Sequence, residues 1–188
     1  MNTALFSAVV DFEVYVLMTM KPRLSLADTR GLIDAKLTKI GLSSDAAERT
    51  HDRIAEALSV ENSRFREMKT LLGVADEKAT SLKYASVLWP GFEFSARVGV
   101  NGLLESAGYK HAQQGKLLDV ASPAQLIAWS VDIAEFDELF GPTIRRVKRP
   151  LFDKILPAYE EYEFSFEGDR YGAIFLWGLF VLASAYWD

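Results

Sequence analysis

Glu48-Arg-Thr-His51 places a carboxylate and an imidazole three residues apart. That spacing puts both on one face of a helix, and helical bundles use it to hold paired metal ions. A site of that kind needs a second such pair and further glutamates from facing helices. The other histidine, His111, has Gly108 three residues before it, so the second pair is missing. His51-Asp52 is also the dyad of metal-dependent phosphohydrolases, but no earlier histidine completes the ligand set. The expectation is a solvated helix face or loop for each histidine, no catalytic role for either, and no metal or cofactor.

Other chemistries lack their parts. Serine catalysis needs a nucleophile, a base and an orienting carboxylate, and no Gly-x-Ser-x-Gly elbow marks a serine here. Gly-x-Gly-x-x-Gly and the P-loop are absent, which removes the recognisable nucleotide cradles. There is no cysteine, so disulfide scaffolds, thiolate zinc sites and cysteine nucleophiles are excluded. Asp132, Glu135, Asp137 and Glu138 cluster where a helix is expected to end. No acidic run on a second helix matches them for magnesium, and they read as a polar helix face. The chain is not expected to be an enzyme.

What remains is an alternation of charge in the last third. Acids at 132–138 are followed by Arg145, Arg146, Lys148 and Arg149, then by Glu160, Glu161, Glu163, Glu167 and Asp169 with aromatics among them. One reading is internal pairing between the basic and acidic segments. The other is a contact surface, in which the acids steer a basic partner and Tyr162 or Phe164 anchors it. On the second reading Glu160, Glu161, Tyr162, Glu163, Phe164, Glu167 and Asp169 bind a partner. The function expected is that of an acidic inhibitor or immunity-type protein that neutralises a basic protein such as a toxin domain. The alternative is a small helical enzyme or ligand-binding protein, with Trp129 and Trp177 walling a pocket beside the C-terminal helix.

Composition agrees with a protein-binding role. The formal net charge is −5, and residues 95–188 carry 13 acidic against 9 basic groups. Non-specific nucleic-acid binding, which depends on cations neutralising phosphates, does not fit. Hydrophobic residues make up 49%, close to the globular average, and 188 residues suffice for one domain with its own core. Residues 4–20 are apolar but lack a preceding basic residue and are interrupted by Asp11 and Glu13. A secretory signal does not look like that, and a cytoplasmic location is expected.

The elements that would position these residues read mainly as helices. Residues 4–19 suit a first helix ending at Lys21-Pro22, although four valines between 9 and 16 allow a strand. Ser25 caps a second helix that stops at Gly41, with Asp28 in the capping-box position. Ser43 opens a third stretch to Gly73, breakable between Ser59 and Ser63, and a shorter helix spans roughly 75–89. Residues 92–100 alternate with period two and are followed by Asn101-Gly102, a hairpin signal. Tyr162, Phe164 and Phe166 alternate likewise, so the two segments are candidates for a small ribbon. Ser122-Pro123-Ala124-Gln125 has a capping residue, a proline at the first helical position and a glutamine at the third, predicting a helix from 123 to about 139. Tyr171 to Trp187 contains no charge. A helix apolar all round must be buried, and this run is too short, too glycine-broken and too poorly flanked for a bilayer. The predicted fold is a mostly α, single-domain multi-helix bundle around a buried C-terminal helix, with room for a minor two-stranded β element; the alternative is α+β.

Overall fold

A computed structural model describes residues 3–24, 30–113 and 118–185. Among these residues the fold is α+β, with five α-helices (37%) and two antiparallel sheets of three and four strands (29%), which corrects the expected mostly α bundle in favour of its α+β alternative. The chain divides into two compact units. One comprises Met1–Pro90 with Phe94–Ala107, and the other Gly91–Glu93 with Gly108–Asp188. No helix among the described residues is long and apolar enough to cross a membrane.

In the first unit the buried helix is the N-terminal one. Helix α1 (Thr3–Leu24) has every residue from Phe12 to Met18 buried, so the valines that could have formed a strand pack inside a helix that is apolar nearly all round. It runs past Lys21-Pro22, with Pro22 inside its last turn. Helix α2 (Arg30–Lys39) buries Ile33 and Leu37; its expected cap, Ser25 with Asp28, lies outside the described residues. Helix α3 (Ser44–Ala57) starts where predicted, with the Ser43 hydroxyl accepting the Ala46 N–H at 3.3 Å. Arg53–Asp11 and Lys21–Glu48, each at 2.7 Å, tie it to α1. The chain then breaks through a 3₁₀ turn at Glu61–Ser63 before helix α4 (Arg64–Leu71).

The helix expected over 75–89 is instead strand β1 (Ser81–Ala85) and a turn. Leu82 is buried and Tyr84 half-buried between exposed Ser81, Lys83 and Ala85, which is period two over too few residues for a helical stripe. Strands β2 (Phe92–Val98) and β3 (Leu104–His111) follow, joined through Asn101-Gly102, with Gly102 at φ 78°. The sheet order is β1-β2-β3. The proposed ribbon between 92–100 and 162–166 does not form, because those segments belong to different sheets.

The second unit holds a four-stranded meander: β4 (Ile144–Lys148), β5 (Tyr159–Phe166), β6 (Asp169–Leu176) and β7 (Leu179–Ala185), in that order. The uncharged C-terminal run is therefore a hairpin and not a helix; Tyr186 and Trp187 lie outside the described residues. Its period is hidden because both faces of β6 and β7 carry apolar residues. Trp177-Gly178 makes the two-residue turn, with φ 54° and 81°, the pair of positive angles that a type I′ hairpin needs. A Cβ on Gly178 would come 2.6 Å from the Tyr109 carbonyl oxygen, so space as well as φ requires glycine there. The turn is docked, with the Tyr109 N–H donating to the Trp177 carbonyl at 2.7 Å.

Helix α5 (Ile133–Phe140) supplies the core of this unit. Phe136 is fully buried and meets Phe164 and Phe175 edge-to-face and Phe180 stacked. The helix predicted from Pro123 does not form. Pro123–Gln125 is one 3₁₀ turn, the Ser122 hydroxyl makes no capping bond, and Leu126 is already extended. Gln125 instead turns back to accept the Ala121 N–H. The helix begins ten residues later, behind Asp132.

Candidate functional site

One compact group of titratable side chains in the second unit joins the end of β3 to the start of α5. Asp132 is extended at φ −92°, ψ 179°, and its Oδ1 accepts the N–H groups of Ala134 (2.9 Å) and Glu135 (3.0 Å). Glu135 reaches back, its Oε2 accepting the Asp132 N–H at 3.1 Å. This reciprocal capping box satisfies the exposed donors of the first helical turn. His111, at the end of β3 and in the same unit, joins it: its main-chain N–H donates to Asp132 Oδ2 at 2.9 Å, and its ring Nδ1 is bonded to Glu135 Oε2. The imidazole is fixed from another side as well. Phe92 stacks on it with centroids 3.8 Å apart.

His111, Asp132 and Glu135 offer one nitrogen and two oxygens within 4.8 Å of one another, a set that could hold a metal ion. A cation there would compete with the helix cap, because both Asp132 oxygens and Glu135 Oε2 already accept main-chain N–H groups. The arrangement suits an oriented imidazole better. A carboxylate on Nδ1 fixes ring and tautomer, as it does where histidine acts as a base. His111 keeps 22% of its side chain exposed, and among the described residues its Nε2 makes no hydrogen bond. His111 is thus a strand residue with two acidic partners, not the solvated helix or loop residue expected. The Asp-x-x-Glu spacing carried the capping signal. Nothing local pointed to His111.

His51 matches expectation more closely. It lies on α3, stacked on Tyr15 with centroids 5.4 Å apart and bonded to Asp52, while Glu48 pairs with Lys21.

The residues predicted to bind a partner separate into three groups. Tyr162 and Phe164 are in the core, 9% and 4% exposed. Burial first, then the Glu160 charge, pushes the Tyr162 hydroxyl up to about 12. Glu160 and Glu163 are paired inside the chain. Arg145 and Lys148 reach Glu160 at 3.1 and 3.9 Å, and Arg146 and Arg170 reach Glu163 at 2.8 and 3.3 Å. The Arg146 and Arg170 hydrogen bonds hold the Glu163 carboxyl below the usual range. Glu161 accepts the Tyr159 hydroxyl at 3.0 Å. Glu167 and Asp169 stand exposed at the β5–β6 turn, and among the described residues neither makes an ion pair. Trp129 and Trp177, expected to wall a pocket, are 7% and 1% exposed. No protein family, curated protein or solved structure matches the chain.

Proposed function

We propose that the chain works by binding another protein, as an inhibitor or immunity-type protein that covers a basic partner. The observation that carries this reading is the layered charge on β4–β6. Glu160 and Glu163 are recessed, with side chains 20% and 17% exposed, beneath Arg145, Arg146, Lys148 and Arg170 at 49–58%. Arginine held in place by a neighbouring carboxylate keeps its planar fork oriented at little entropic cost, and it is enriched at interfaces. The net charge of −5, with Glu167 and Asp169 at the turn, steers a basic partner from a distance. At contact the arginines pair with that partner's own carboxylates. The test is purification of the tagged chain from its source cell. A stoichiometric partner is expected, captured more slowly by Glu167→Lys with Asp169→Lys and bound more weakly by Arg145→Glu with Arg146→Glu. A chain that emerges alone at native abundance defeats the reading.

His111 favours a second reading, a small-molecule site at the β3–α5 junction, because Nδ1 is held by Glu135 while the side chain stays 22% exposed. His111→Gln should leave partner capture unchanged if the first reading holds.

A further inference from the structure

Glu13 lies in the middle of α1 with none of its surface exposed. Its Oε2 accepts the N–H groups of Val87 (3.0 Å) and Leu88 (2.7 Å) in the turn after β1. Its Oε1 is buried without a hydrogen-bond partner. From α2, Lys36 donates its ammonium to the Leu88 carbonyl and lies 5.4 Å from the centre of the Trp89 ring. The Ser86 hydroxyl accepts the Trp89 N–H at 2.9 Å. One acid and one base, each on its own helix, therefore grip residues 86–89.

Either form of the acid can accept two N–H groups on one oxygen, and with Oε1 given no donor by the main chain it is burial that favours the neutral one. In the neutral acid the carbonyl oxygen would do the accepting and the proton would sit on Oε1. An ion in that place is solvated only by the Ser86 hydroxyl, two N–H groups and the Lys36 charge, and burial outweighs them. We propose that Glu13 is a proton-operated latch on the turn Ser86–Trp89: protonated, it holds the turn shut, and ionised, it drives the turn open until water reaches the carboxylate.

The surrounding groups set the direction. Burial is the largest influence and holds the Glu13 carboxyl above the ordinary range, opposed in turn by the Ser86 hydroxyl, the Leu88 and Val87 N–H groups and the Lys36 charge. Lys36, pushed down to about 8 by burial and then by Lys39, is the charge that faces Glu13 from α2. The charged groups of α3 and α4 that reach α1 act elsewhere: Arg53 at Asp11, Glu48 at Lys21, Arg64 at Tyr15. In the open turn Glu13 titrates as an exposed glutamate, so the closed turn binds the proton more tightly. Closure is gained as pH falls through the raised value and is complete below the open-state value of about 4.5.

Amide hydrogen exchange at Val87 and Leu88, read with the ¹³C titration of the Glu13 carboxyl, tests the latch. Corrected for intrinsic rates, protection should rise on acidification by about tenfold per pH unit that the carboxyl is raised. Its midpoint should follow the Glu13 titration. Glu13→Gln keeps the accepting oxygen and cannot titrate, so its protection should stay constant. Protection that is flat or falls on acidification overturns the proposal, and so does an equal rise in Glu13→Gln. The carboxyl titration needs only the unaltered protein, and a Glu13 that titrates like an exposed glutamate overturns it as well.

Discussion

Asp132 and Glu13 are both carboxylates removed from water, and both take hydrogen bonds from main-chain N–H groups. Asp132 uses both oxygens, Oδ1 for two N–H groups of its own helix and Oδ2 for the N–H of His111. Glu13 uses one oxygen for two N–H groups of a distant turn and leaves the other bare. Depth of burial is similar, 5% and 0% exposed, and so cannot separate them. The difference lies in how many oxygens accept. A carboxylate with both oxygens engaged is a structural brace that loses a hydrogen bond when either oxygen is replaced by a donor. One with a single engaged oxygen tolerates a proton or an amide on the other.

The largest effect expected is from Asp132→Ala. It removes the helix cap and leaves the His111 N–H without its acceptor, costing about 3 kcal/mol in chemical denaturation. Amide replacements sharpen the contrast. Asp132→Asn keeps one accepting oxygen of two and should cost about 1.5 kcal/mol, whereas Glu13→Gln should change stability by less than about 0.5 kcal/mol at about pH 4.5, where the closed turn holds the Glu13 proton. Equal losses at the two positions would break the comparison. Glu163 is a third, half-buried case. Its depressed carboxyl contributes stability that is present above the unfolded value of 4.5 and lost as pH falls through the folded one. Glu160→Lys with Glu163→Lys should therefore lower the melting temperature at pH 7, by less at high salt and by less at low pH. The smallest effect belongs to Ser122→Ala. A capping serine loses about 1 kcal/mol on such a change, but this hydroxyl caps nothing, and the loss should be under about 0.3 kcal/mol.

Legibility followed the range of the interactions. Ser43 and the alternation from Phe92 to Val98 could be read directly, because each signal sits within a few residues of the structure it makes. Ser122 and Asp132 carry the same kind of capping signal with Gln125 and Glu135, and only the packing of Phe136 against β5–β7 decides between them. In β6 and β7 apolar residues on both faces erased the period. Strand β1 was too short to show one. The charges on β5 allowed pairing or display. Register resolved this, setting Arg145 and Lys148 beside Tyr162 and Glu160. The sites themselves were out of reach, since His111 meets α5 and Glu13 meets its turn only after the chain has folded.

Strands β6 and β7 form one segment from Tyr171 onward without a charged side chain as far as Trp187. Folded, that segment is screened by α5 on one face and paired edge to edge with β5. Unfolded, it is an aromatic-rich, proline-free stretch with no gatekeeper charge, the composition that stacks between chains. Heating this protein should therefore be a one-way process. Released hairpins find one another faster than they re-form, and the transition seen in a scan depends on heating rate and protein concentration.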